Sequence, residues 1–131
     1  MAGEVARMSI DDTITHLIYL PRNFNRRGNA SMYSLLRDSG YFAMHDQVTE
    51  DALQQMLLRH PECVDEWMSF SEEKRASAGW FFRRGPKGYD VGYFPVISSR
   101  HRPVDYADGV AACAAFIKRE IEDIRTEGKQ P

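Results

Sequence analysis

Apolar residues recur at helical spacing through the first half of the chain. Asn29 or Ser31 is suited to cap a helix that runs to about Ser39, with Met32 on its inward side. Gly40 then supplies the left-handed residue on which helices commonly end. This segment therefore predicts a helix of about two turns.

Two further helices are predicted in succession. Thr49 begins the first, because its hydroxyl can accept from the free amides of a helical first turn. His60-Pro61 breaks it, and the proline stands where proline is favoured, at the first position of a new helix. Trp67 lies on the apolar side of that second helix. The pattern predicts a helical hairpin with Trp67 as its core anchor.

The N-terminal stretch is ambiguous. Ser9 is suited to cap a short helix that carries Ile14 and Leu17 on one face, whereas the β-branched run Thr13 to Leu20 argues equally for a strand. Pro21 to Asn29 is rich in turn formers and arginine, which predicts a polar linker.

Residues 74–94 predict a β-hairpin. A turn centred on Pro86-Lys87 brings pairs of residues opposite one another in a single register. The pairs are Arg84 with Tyr89, Arg83 with Asp90, Phe82 with Val91 and Trp80 with Tyr93. Trp80 and Phe82 then share the core-facing side, and Phe81 points with Arg83 to the other side. A bulge at Gly88 would exchange the two faces.

The longest helix is predicted at the C-terminus. Asp105 is suited to cap it and Asp108 to lie in its first turn, and alanines among its apolar residues allow close packing. The fold class is α+β: a helix-rich single domain in which a helical hairpin and an antiparallel β-hairpin or small sheet pack on this helix. We expect an extension and linker over 1–29, one globular domain over 30–126 and a mobile tail over 127–131.

Composition restricts the function classes. The net charge of −2, the 27% charged residues and the lack of a long apolar run are those of a soluble globular protein. No secretory signal is recognisable at the start, so we expect a cytoplasmic protein without membrane contact. Cys63 and Cys113 are the two cysteines, and both fall in apolar helical patterns, which predicts buried thiols.

Motifs for specific chemistry are incomplete. The glycines near Lys87 lack phosphate-loop spacing, and Ser71 to Lys74 matches Ser-x-x-Lys without its partner motifs. His60, Cys63 and Glu66 stand three residues apart, but Pro61 disrupts that helical face. We therefore expect no metal, no cofactor and no catalytic residue, although an enzyme of unrecognised class stays an alternative.

Several short motifs occur in order between Met32 and Arg125. They are Ser39-Gly40-Tyr41-Phe42, His60-Pro61-Glu62, Glu66-Trp67, Ser71-Glu72-Glu73-Lys74-Arg75 and Gly79-Trp80-Phe81-Phe82. In this series the chain resembles a family of small uncharacterised bacterial domains, of unknown function, that carry a Ser-Glu-acidic-Lys-Arg segment followed by Gly-Trp-aromatic. The resemblance implies one domain over this span and implies no catalytic residue.

The basic, aromatic hairpin is the candidate binding site. Its predicted binding residues are Arg75, Phe81, Arg83, Arg84 and Lys87. Tryptophan, tyrosine and arginine dominate the energetics of protein interfaces, so we expect a non-catalytic protein-binding module, of the kind that includes toxin-neutralising partners, with an unidentified protein as its partner. Binding of nucleic acid or another anion through the same hairpin is the alternative, which the slightly acidic balance of the chain disfavours.

Overall fold

In a computed structural model of the chain, residues 9–27, 31–73, 79–94 and 103–127 are described. They form seven helices and a three-stranded antiparallel sheet, so the predicted α+β class is confirmed. In chain order the elements are α1 (Ile10–Ile18), α2 (Leu20–Arg27), α3 (Met32–Asp38), α4 (Tyr41–Met44), α5 (Glu50–Arg59), α6 (Glu62–Glu73), β1 (Gly79–Gly85), β2 (Gly88–Phe94), β3 (Val104–Tyr106) and α7 (Gly109–Glu127). None of the described helices is long and apolar enough to cross a membrane.

Helix α7 is the centre of the fold. Every residue from Ala112 to Ile117 is buried, so this part of the helix is surrounded on all sides. It contacts α3, α5 and α6 and all three strands. The alanines leave room for those neighbours to approach, while Phe116 fills the space between α6 and the sheet, with its ring 5.8 Å from those of both Trp67 and Phe82. The prediction that a sheet packs on this helix is confirmed.

The N-terminal stretch is helical. Ser9 and Asp12 form a capping box at the start of α1, and the buried Thr13 hydroxyl donates to the carbonyl of Ser39 at 2.9 Å. The predicted linker at Pro21 to Asn29 is wrong as far as Arg27, because α2 occupies Leu20–Arg27. Leu17 and Leu20 belong to the core cluster. The division of the chain at residue 29 stays a prediction.

The predicted caps of the central helices are present. The Ser31 hydroxyl accepts from the Ser34 amide and the Thr49 hydroxyl accepts from the Ala52 amide, so each satisfies one free amide of a first turn. Gly40 has a φ of 89°, as the predicted left-handed stop requires. The short helix α4 begins at Tyr41, directly after Gly40. Of the predicted tail over 127–131, Glu127 is the last residue of α7, and 128–131 lie outside the described residues.

The sheet has the order β1-β2-β3. The strands β1 and β2 pair in the predicted register from Gly79 with Phe94 to Gly85 with Gly88, with no bulge at Gly88. Strand β3 was not predicted, and it corrects the proposed start of the last helix. Asp105 pairs with Asp90 inside the sheet, whereas the Asp108 carboxylate accepts from the amides of Val110 and Ala111. Asp108 therefore caps α7.

Trp67 lies in the core, as predicted, although its ring contact and its hydrogen bond outside α6 are made with α7 and α1 rather than with the preceding helix α5. Its ring is fully buried, lies edge-on to Phe116 and donates from Nε1 to the carbonyl of Ile18 at 3.0 Å. The indole therefore joins α6 to both α7 and the end of α1.

Replacing Trp67 by Ala should lower the free energy of unfolding by about 3–5 kcal/mol, since it removes a large buried ring. Trp67→Phe keeps most of the ring but leaves the Ile18 carbonyl without its donor, which should cost about 1–3 kcal/mol. Urea unfolding measures both losses. Trp80→Ala is the comparison, and it should cost less than Trp67→Ala because Trp80 is only half-buried. A Trp67→Ala variant as stable as the parent would contradict the assignment.

Candidate binding groove

The structure separates the predicted site residues. Phe81 and Arg83 lie on the outer face of the sheet, where the Arg83 guanidinium stands 4.7 Å from the centre of the Phe81 ring. Arg84 lies on the opposite face and is exposed. Lys87 is exposed in the hairpin turn, and Arg75 lies outside the described residues. The hairpin therefore presents its arginines in two directions.

Phe81, Arg83 and Arg84 meet again in a groove of about 810 Å³ between α6 and β1. We call it the α6–β1 groove. Lys87 does not line it. The described residues that line it are Asp65, Met68, Ser69, Ser71, Glu72, Gly79, Trp80, Phe81, Phe82, Arg83, Arg84 and Phe94. Its volume is in the range of pockets that bury a small molecule or a few side chains.

A hydrogen bond joins helix α6 to the strand β1. In a two-residue hairpin the closing pair, Gly85 with Gly88, exchanges hydrogen bonds, so Phe82 directs its amide away from β2. The Ser71 hydroxyl accepts from that amide at 2.7 Å. The outer edge of β1 is therefore engaged by α6 at its middle. A ligand in the groove would contact side chains here rather than add a strand at this point.

Aromatic side chains form the apolar part of the groove. Phe94, at the end of β2, is 51% exposed. Phe81 lies over Gly92, where a Cβ atom would come within 2.7 Å of the ring, so glycine is what allows the ring to lie close to the sheet. Trp80 is half-buried and is held edge-on to Tyr93 at 5.2 Å. Phe81 and Trp80 thus pack against residues of β2, and all three aromatic residues line the groove.

The two walls of the groove carry opposite charges. Asp65 and Glu72 are exposed on α6, and no described residue forms an ion pair with either. Arg83 and Arg84 lie on the β1 side. The groove therefore combines an apolar centre with an acidic and a basic side.

Arg83 belongs to a row of charged residues across the outer face of the sheet. Asp90 lies between Arg83 on β1 and Asp105 on β3, and it is only 7% exposed. The Arg83 Nε is 3.5 Å from the Asp90 carboxylate. A hydrogen bond with the Asp105 carboxyl, together with burial, raises the pKa of Asp90. Gly85 leaves space for the carboxyl group of Asp90, since a Cβ atom at position 85 would lie 2.6 Å from the Asp90 oxygens.

The possible Cys-His-Glu site is not assembled. His60 Nδ1 is 3.0 Å from the hydroxyl of Tyr19, which donates to Glu62, while Glu66 accepts from Arg22. Burial raises the pKa of Cys63 to about 11, so its thiol stays protonated near neutral pH. The hydrogen bond between His60 and Cys63 joins their backbones, from the Cys63 amide to the His60 carbonyl at 3.0 Å, and does not involve the thiol or the imidazole. Within the described ranges, no three potential ligand side chains come together at a metal site.

A second polar cluster, between α4 and α7, was not predicted from the sequence. The buried Tyr41 hydroxyl donates to Glu122 and accepts from Lys118. Hydrogen bonds from Arg125 lower the pKa of Glu122 to about 2. The cluster ties α4 to α7, and none of its residues lines the α6–β1 groove. We interpret it as structural.

Comparisons with known proteins find no match for this chain among protein-family models, curated proteins or solved structures. The resemblance to small bacterial domains therefore stays a prediction.

The acidic wall of the groove and Phe94 were absent from the predicted site. Asp65, Ser69 and Glu72 are spaced as one polar helical face, a pattern that usually marks a solvated surface. Phe94 follows Tyr93 at the end of the strand pattern. Strand alternation assigns Phe94 to a face of the sheet but does not predict that its ring is exposed. One signal was available, because strand alternation places Phe94 on the same face as Phe81.

Removing the Ser71 hydroxyl should destabilise the fold measurably. Ser71→Ala leaves the buried Phe82 amide without its acceptor, which should cost about 1–3 kcal/mol in urea unfolding. Ser69→Ala is a matched control, because Ser69 lines the same groove but is exposed, and its effect should stay within about 0.5 kcal/mol. Equal effects of the two substitutions would show that the hydrogen bond does not fix α6 to β1.

The carboxyl pair on the outer face predicts a pH dependence. Because the pKa of Asp90 is raised in the folded state, this group stabilises the fold when protonated, and that contribution is lost as pH rises through its folded-state pKa. Asp105→Asn removes the facing carboxylate and should increase stability at pH 7 by up to about 1 kcal/mol. The gain should shrink toward pH 4.

Thermal unfolding at several pH values measures this difference. Glu73→Gln removes an exposed carboxylate at the end of α6 and serves as the control, with little change at any pH. A gain for Asp105→Asn that did not depend on pH would contradict the raised pKa of Asp90.

Proposed function

We propose that this protein is a non-catalytic module that binds a short segment of a partner protein in the α6–β1 groove. The observation that carries the proposal is the aromatic surface of the groove, in which Phe94 is half exposed beside Phe81 and Trp80. Protein interfaces concentrate their binding energy in aromatic and arginine side chains. An apolar centre with charged sides is the arrangement that such interfaces use.

The size of the groove fits a short segment. On α6 it extends from Asp65 to Glu72, about 10 Å at the helical rise, and on β1 from Gly79 to Arg84, about 17 Å at the strand rise. About five residues in extended conformation span the longer distance. Because Ser71 already engages the amide of Phe82, recognition rests on the side chains of the segment.

The state of the cysteines supports the non-catalytic part of the proposal. Cys113 is fully buried, and burial raises its pKa well above the usual value, as it does for Cys63. A protonated, buried thiol is a poor nucleophile.

The acidic wall favours a peptide over a nucleic acid. Phosphates along a strand would meet Arg83 and Arg84 on one side of the groove and the like charges of Asp65 and Glu72 on the other. Rings that could stack on bases are present, so nucleic-acid binding is the competing outcome of the test.

Selection of random displayed dodecapeptides against the full chain tests the proposal. We expect the parent protein to enrich peptides, and Phe94→Asp to lose them, because a carboxylate replaces the exposed ring. Leu58→Asp is the matched control, since Leu58 is another exposed apolar residue, 59% accessible, on α5 outside the groove. It should retain the same peptides.

Amide NMR shifts on adding a selected synthetic peptide should map to α6 and β1. Enrichment that Phe94→Asp does not reduce, or no enrichment at all, would overturn the proposal. Binding of mixed-sequence oligonucleotides that weakens steeply with salt would favour the nucleic-acid function instead.

A further inference from the structure

We infer that the bound segment carries a carboxylate group about five residues from a large apolar side chain, with the carboxylate held by Arg84 and the apolar side chain by Phe94. This inference rests on the proposed function and specifies the chemistry of the partner. It follows from the different surroundings of the two arginines and from the distance between the ends of the groove.

Arg83 is already neutralised within the protein. Its guanidinium pairs with the buried carboxylate of Asp90 at 3.5 Å and lies over the ring of Phe81. Drawing Arg83 toward a ligand would leave Asp90 facing Asp105 without its cation, which is unfavourable for a nearly buried carboxylate. Arg83 is therefore a poor anchor for an incoming anion.

Arg84 has no acidic partner among the described residues. Its guanidinium stands 5.4 Å from the centre of the Tyr89 ring and donates from Nη1 to the Tyr89 hydroxyl at 3.3 Å, and both contacts leave its charge uncompensated. It is exposed and lines the groove. A carboxylate is the group that a guanidinium binds with two parallel hydrogen bonds.

Tyr89 holds Arg84 in a defined position. The Tyr89 ring packs on the start of α7 at Gly109, where a Cβ atom would stand 3.0 Å from the ring. The guanidinium thus lies over a ring that is itself fixed against the central helix. Part of the entropy cost of ordering a long side chain on binding is therefore already met in the free protein.

The distance between the anchors sets the spacing in the ligand. Gly79 is paired with Phe94, and Arg84 lies five positions after Gly79 along β1. At the strand rise this is about 17 Å, the length of about five extended residues. A segment that reaches from Phe94 to Arg84 must therefore place its apolar and anionic groups about that far apart.

The acidic wall limits how many carboxylates the segment can carry. Asp65 and Glu72 have no ion-pair partner among the described residues, so they repel additional acidic residues and attract basic ones. The groove thus favours a segment with an anion at the Arg84 end over one that is acidic throughout.

Charge exchange at Arg84 tests the inference. Dodecapeptides selected on the full-length parent should show Asp or Glu about five residues from a large apolar residue. Selection on Arg84→Glu should replace that acidic residue with Lys or Arg. A synthetic peptide selected on the parent should bind the Arg84→Glu and the neutral Arg84→Gln variants about ten-fold more weakly than it binds the parent protein. The same peptide with lysine in place of its acidic residue should bind the Arg84→Glu variant more tightly than it binds the parent protein.

Two controls make the result specific. Arg59→Glu reverses an exposed cation on α5 outside the groove and should change the affinity less than about two-fold. Peptides with a free and with an amidated C-terminus separate the two sources of a carboxylate, a side chain or a chain end. Thermal unfolding of each variant confirms that it is folded.

The outcomes distinguish the two proposals. If peptides require Phe94 but show no acidic position and bind Arg84→Glu as they bind the parent, the inference on the anion is wrong and the groove proposal stands. If no peptide depends on Phe94, both are wrong. If the acidic position occurs but is lost only with Arg83→Gln, the assignment to Arg84 is overturned.

Discussion

The burial of α7 on all sides between Ala112 and Ile117 is the constraint on which the rest of the structure depends. A helix whose middle turns are entirely apolar is stable in water only if several elements cover it at once. Helices α3, α5 and α6 and the sheet supply that cover. The alanines permit close approach, and Phe116 meets Trp67 from one side and Phe82 from the other. Helix α6 and strand β1 are therefore brought next to one another because both pack on α7.

The groove is a consequence of that shared support. Helix α6 directs Trp67 and Ser71 inward, so its opposite face remains in solvent beside the outer face of the sheet. The hydrogen bond from the Phe82 amide to the Ser71 hydroxyl joins α6 to β1 at the base of the α6–β1 groove, and the groove above it is open to solvent. Residues that line the groove are mostly outside the core, which means that binding chemistry there can differ without disturbing the packing around α7.

The sequence predicted local geometry better than contacts between separate elements. The hairpin register was predictable because a two-residue turn and strict alternation agree on a single pairing. Strand β3 has only three residues, too few for a periodic signal, and aspartate is favoured at helix caps and rare in strands, so Asp105 indicated the wrong element. Helix α2 has the composition of a linker and is held by distant partners. Phe24 packs edge-on to Phe70, and Arg22 donates to Glu66.

The candidate site was predictable only in part for the same reason. Neighbouring arginines look equivalent in a sequence, yet strand alternation directs Arg83 and Arg84 to opposite faces of the sheet. On the outer face Arg83 meets the buried Asp90 and becomes part of the structure, whereas Arg84 meets the neutral Tyr89 and keeps its charge. That difference depends on a partner strand and on the ring position that Gly109 allows. Arg83 is therefore held in an ion pair within the protein, whereas Arg84, the next residue of the same strand, points to the other face and has no acidic partner among the described residues.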